Sequence, residues 1–236
     1  MALLILAFET SAKAASVALF QDGKLLGESY QNTGLTHSQT LMVMAEDLLK
    51  QCGFGPKAVT AVAVAAGPGS FTGVRIGVAA AKGLAWGLQV PCYGVSTLES
   101  MALGLGAYRG TVCPVMDARR SQVYNALFTA EGGLLSRVAE DRAIALSDLA
   151  EELKTAPQPI FLVGDGSELT YKTLKDTIPG LVLPMENRMH QRAVGVGLAA
   201  MVAIEAGESG DAAAMQPNYL RLSQAEREKL EKANKK

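Results

Sequence analysis

The chain of 236 residues is short of several things, and each shortage removes a class of function. Charged residues are only 19%, and 22 Lys and Arg nearly cancel 23 Asp and Glu. The cations are spread along the chain, which leaves no basic footprint for autonomous nucleic-acid binding. Cys52, Cys92 and Cys113 are widely spaced and form no C-x-x-C. That pattern fits reduced intracellular thiols, not a disulfide framework or a zinc site. The only histidines, His37 and His190, lack the i, i+4 partner of a metallopeptidase pair, so no metal site is expected. No G-x-S-x-G elbow supports an acyl-transfer triad, and no catalytic residue is assigned. No apolar run approaches the ~18 residues of a membrane span. The opening "MALLILAF" has no basic start and runs into Glu9, so it reads as a buried strand and not a signal peptide. The expected location is the cytoplasm.

What is present is apolar residue in quantity, 49% of the chain, enough for a large core in one domain or two. It is also arranged twice. Residues 5–20, "ILAFETSAKAASVALF", match 113–128, "CPVMDARRSQVYNALF", with the acid (Glu9, Asp117) and the final Phe equally spaced. Each is followed by a glycine turn (Asp22-Gly23; Glu131-Gly132-Gly133), a hairpin signal. Helices are expected over 38–52 and 147–155, capped by Ser38 and Ser147. Then come the strands "AVTAVAVAA" and "PIFLVG", each leading into G-x-G-S at Gly67–Ser70 and Gly164–Ser167. Each half reads β-β-β-α-β-α-β-α. The expected division is an N-terminal lobe over 1–106, a C-terminal lobe over 107–222 and a charged tail over 223–236, with "LGLGAYRG" (103–110) as the joint.

A duplicated α/β unit of this kind resembles the actin-like (ASKHA) ATPase fold of actin, sugar kinases and heat-shock ATPases. That resemblance implies a nucleotide cleft between the lobes, with an acid and a glycine at each hairpin tip. Here the tips are Glu9-Thr10-Ser11-Ala12 and Asp117-Ala118-Arg119-Arg120, and neither has the glycine. A Cβ there obstructs the close approach of backbone to phosphate. Glu9, Thr10, Ser11, Asp117, Gly164 and Gly166 are therefore the candidates for a degenerate ATP or ADP cleft. The plainer alternative is that both acids only order their turns.

"GPGSFTGVRIG" (67–77) fits neither the Walker pattern nor G-x-G-x-x-G. A stereochemical role suffices: Gly67 and Gly69 supply positive φ at a strand-to-helix turn, and Ser70 caps the helix over 70–89. Along that helix Gly73, Gly77, Ala81 and Ala85 form a small-residue ridge at i, i+4 spacing. Helical glycine costs ~1 kcal/mol against Ala, so close approach of another backbone is expected. That backbone belongs either to the chain's own lobe or to a partner. In the preceding helix Leu41, Met44, Ala45, Leu48 and Cys52 make a core stripe, while Met42, Val43 and Leu49 lie outside it.

"FETS", "HSQTL", "GPGSFTGVRIG", "DARRSQVY" and "PNYLR" together resemble the TsaB (YeaZ) family over residues 3–221, with Glu9 where that family usually has Asp. The resemblance implies a non-catalytic partner of a TsaD-type transferase. Its role would be in threonylcarbamoyladenosine modification beside the anticodon, in tRNAs reading codons that begin with A. It implies pairing with TsaD or with a second copy, and contact with a TsaE-type ATPase and with tRNA only through the complex. No cofactor is required, and a nucleotide would bind at a degenerate or shared site. The expected partner surface is the two N-lobe helices, with His37, Met42, Leu49, Phe71, Gly73, Gly77, Val78 and Ala81. The alternative function is an active small-molecule kinase or ATPase of the same fold.

Overall fold

The computed structural model describes residues 2–106 and 109–221; the tail over 223–236 and part of the joint at 103–110 lie outside them. Strand β1 (Leu4–Glu9) pairs antiparallel with β2 (Ala15–Gln21), which pairs with β3 (Lys24–Gln31). Asp22 and Gly23 both take positive φ (49° and 82°), as the two central positions of a type I′ hairpin require. Helix α1 (His37–Gln51) follows, then β4 (Ala61–Gly67) parallel to β1, α2 (Phe71–Leu88), β5 (Cys92–Ser96) and α3 (Thr97–Leu105). The sheet order is β3-β2-β1-β4-β5.

The second half repeats it. Strands β6 (Gly110–Asp117), β7 (Gln122–Glu131) and β8 (Leu134–Ala145) lead to α4 (Leu146–Leu153), β9 (Ile160–Val163), α5 (Ser167–Leu174) and β10 (Leu181–Val182). The short α6 (Glu186–Met189) precedes α7 (Ala193–Glu205), and the order β8-β7-β6-β9-β10 reproduces that of the first sheet. This is the actin-like ATPase fold in two lobes.

Both faces of each sheet are covered, which is why β1, β2 and β4 read as continuous apolar runs. Leu4, Leu6, Phe8, Val62 and Val64 face α1 and α2, while Ile5, Ala7, Ala18, Phe20, Ala61 and Ala63 face α7. In the second sheet Val115, Leu127 and Leu162 face α4 and α5, while Val112, Met116 and Phe128 face α3. The last helix of each half has thus crossed over. α3 covers the second sheet, α7 covers the first, and a division at 106/107 leaves neither half with all of its own helices. Gly195 and Gly197 make the crossing possible: a Cβ would fall 1.9 Å from Ser100 O and 2.3 Å from the Phe20 ring, respectively.

The expected caps at Ser38 and Ser147 are corrected. The helices start earlier, with Thr36 and Ala145 at the N-cap and no side-chain cap. In α4 the first amide, Leu146 N–H, donates to Ser121 O of the β6–β7 tip instead. Ser70 does cap α2, its Oγ accepting from Gly73 N–H at 3.3 Å.

Candidate functional site

The two hairpin tips meet the two glycine loops at a cleft of about 690 Å³ between the lobes. Each acid completes its own turn. Glu9 Oε1 accepts from Ser11 N–H (2.5 Å), and Asp117 Oδ1 accepts from Arg119 N–H (2.7 Å). The same bond recurs in both halves, two residues ahead of the acid, a turn in which a carboxylate mimics a backbone acceptor. The tips differ in exposure. Glu9, Thr10 and Ser11 are fully buried beneath α2, whereas Asp117, Arg119 and Arg120 are open to solvent.

Each glycine loop packs against its own tip. A Cβ on Gly69 would fall 2.6 Å from Ser11 O, and one on Gly166 3.0 Å from Asp117 N. Ser70 N–H donates to Ser11 O (2.7 Å) and Gly166 N–H to Val115 O (3.1 Å). Gly67 and Gly164 take positive φ (117° and 112°), but Gly69 does not; its glycine is required by close approach alone, which corrects that expectation. One amide of each loop, Ser70 N–H and Gly166 N–H, is thus spent on its own tip.

Two carboxyls lie at the cleft floor, Asp165 in its lining and Glu9 buried behind Ser11. Burial pushes the Glu9 carboxyl up to about 7, against the hydrogen bonds from Ser11, and Asp165 adds to the rise. Burial also raises Asp165, opposed by Gln191 Nε2, which donates to its Oδ1 at 3.1 Å. Carboxyls placed here offer a phosphate no positive charge, and where they ionise they repel it. Among the described residues no group of three or more His, Cys, Asp or Glu side chains is placed to hold a metal ion. Burial drives the Cys92 and Cys113 thiols up to about 12, far from a reactive thiolate.

The stretch after α7, which contains "PNYLR", had no role assigned from sequence. It straps the first lobe to the second. Lys82 Nζ donates to Met215 O (2.8 Å), and Asn218 N–H donates to Ala66 O (2.6 Å), where a Cβ on Gly67 would collide with Asn218 O. Arg75 Nε donates to Tyr219 OH (2.7 Å) with its guanidinium 3.7 Å over the Phe71 ring. Arg221 Nη1 then reaches Ala118 O (2.6 Å) on the second tip.

Comparison with known proteins fits this geometry. Residues 31–229 match the model of the family described as TsaD, tRNA N6-adenosine threonylcarbamoyltransferase. The tRNA threonylcarbamoyladenosine biosynthesis protein TsaB of Bacillus subtilis is 33% identical over 231 residues, 96% of this chain and 98% of that protein. The chain belongs to the TsaB family. YeaZ from Pseudomonas aeruginosa superimposes with a TM-score of 0.74 at 28% identity, covering 92% of this chain and all of that one.

In this member of the TsaB family the residues expected on the partner surface divide into two sets. Gly73 and Gly77 face inward, where a Cβ would fall 2.1 Å from Thr10 O and 2.3 Å from Thr10 Oγ1. Val78, Ala81 and Ala85 lie in the core under the same helix. The small-residue ridge is therefore filled by the chain's own first tip, and its assignment to a partner is corrected. Leu49 is corrected too: α1 lies in the angle between the sheet and α2, so its buried face is wide enough to include it. His37 is half-buried, its Nε2 2.8 Å from Ala12 O, and Phe71 stacks on Tyr219. Met42 is 43% exposed and Val43 57%. Beside them α2 turns Ala79, Gly83 and Trp86 outward, with Ile76 half-buried and Trp86 76% exposed. The outward face was legible as apolar, since α2 carries only Arg75 and Lys82 as charges. Which stripe faced out depended on tertiary packing.

Proposed function

We propose that the chain is a non-catalytic partner of a TsaD-type transferase and supports threonylcarbamoyladenosine formation beside the anticodon of tRNAs reading codons that begin with A. The observation that carries this reading is the apolar outward face of α1 and α2, with Met42, Val43 and Trp86 exposed on it, beside a cleft where each tip acid spends an oxygen on its own turn. A surface of rigid aromatic and Met side chains is suited to docking. The transferase is its main occupant and a second copy of the chain an alternative one, and the complex brings in a TsaE-type ATPase. The work is cytoplasmic. A nucleotide, where one is used, sits at a site shared with the partner, because neither tip carries the glycine that lets backbone approach phosphate. The test is reconstitution of the modification from purified components with the chain added or withheld; we expect modified tRNA only when it is present.

A further inference from the structure

The mouth of the interlobe cleft has a chemistry opposite to its floor. Lys13 from the first tip, Arg119 from the second and Arg221 from the strap line the same cleft. Lys13 and Arg119 are exposed, and among the described residues neither is paired with a carboxylate. Arg221 is held at the rim by its bond to Ala118 O. Asp117, two residues before Arg119, spends one oxygen on the Arg119 backbone N–H.

The second tip holds its arginines at a conformational cost. Arg119, Arg120 and Ser121 have φ of 62°, 56° and 56°, three successive side-chain-bearing residues in the left-handed region. Each such residue is strained relative to glycine, which would fit the turn freely. Arginine in so strained a turn points to a use for its side chain. That use is not the seating of a mononucleotide. The Ser11, Ser70, Arg119 and Gly166 amides already donate elsewhere, and the carboxyls of Asp117 and Asp165 line the cleft beneath the cations. Cations at a rim over an acidic floor suit a chain of phosphates lying across the mouth without entering it.

We propose that Lys13 and Arg119, with Arg221 beside them, contact the phosphodiester backbone of the RNA substrate directly at the cleft mouth. The proposal rests on the function given above and names the RNA-facing surface of this subunit, where the sequence implied only indirect contact. A phosphate contact of this kind gives sequence-independent, salt-sensitive affinity.

The experiment uses the complex of the full chain with the transferase, titrated into labelled tRNA at several salt concentrations and, separately, into a labelled ATP analogue. The double variant Lys13→Ala/Arg119→Ala should bind tRNA roughly tenfold more weakly at low salt, with the salt dependence reduced by about one unit for each cation removed. Lys13→Arg/Arg119→Lys should restore most of the affinity. Arg119→Gly should melt no lower than the parent, since it relieves the turn, and yet lose RNA affinity, which separates charge from structure. Binding of the ATP analogue should not change. Unaltered tRNA affinity and salt slope in an intact complex would overturn the proposal, as would a loss confined to the ATP analogue. Failure of the unsubstituted chain to join the transferase would instead refute the function on which it rests.

Discussion

Gly77→Ala separates an inward from an outward role for the glycine ridge. The new Cβ would stand 2.3 Å from Thr10 Oγ1 and 3.3 Å from Val64 Cγ2, both inside the first lobe. Thr10 Oγ1 donates to Gly73 O at 2.8 Å, so the tip cannot yield without losing that buried bond. Replacing glycine with alanine in a helix returns ~1 kcal/mol. Against it stand overpacking, about 1–3 kcal/mol, and a lost hydrogen bond, about 1 kcal/mol. The balance is a destabilisation of about 1–3 kcal/mol, or a melting point lower by roughly 3–10 °C for a chain of this size. Gly83→Ala is the matched control. Nothing lies within 4 Å of that Cβ, so the helical gain stands alone and the melting point should rise by a few degrees. Calorimetry on the two variants decides it. A Gly77→Ala protein that melts at or above the parent would refute the inward packing and return the ridge to a partner.

Glu9→Gln should remove a pH dependence. The folded chain keeps the Glu9 proton up to about 7 whereas the unfolded chain releases it near ~4.3. Stability from this group is therefore full at low pH and falls by about 3 kcal/mol as pH rises through that window; parent and variant melting in parallel between pH 4 and 8 would contradict this. Met42→Glu and Trp86→Glu should each leave the melting point of the isolated chain unchanged and weaken transferase affinity by roughly 30-fold or more, the scale of an interface hot spot. A sharp drop in melting would instead place these side chains in the core.

The duplicated order of elements was legible because both signals that carry it are local: apolar runs for strands and Asp-Gly or Gly-Gly for hairpins. The equal spacing of Glu9 to Phe20 and Asp117 to Phe128 also had a structural meaning. Each Phe is buried against a crossed-over helix, Phe20 under α7 and Phe128 under α3. The crossing itself could not be read, because it depends on Gly195 meeting Ser100 across a long separation in sequence. For the same reason the ridge on α2 gave the need for close approach and not the identity of the neighbour. Of the cleft, the acids and the missing glycines were visible. The strap was not: "PNYLR" has no periodicity, and its role arises from single bonds to Ala66, Arg75 and Ala118.

The most direct measurement of the central claim is tRNA modification reconstituted from the substrates, a TsaD-type transferase and its ATPase, with this chain as the only variable. The account predicts that the chain alone neither modifies tRNA nor turns over ATP, that the transferase without it is nearly inactive, and that the two together modify tRNA to saturation at one chain per transferase. Modification that proceeds equally without the chain, or ATP turnover by the chain alone near ~10 per second that is abolished by Asp117→Ala, would contradict it.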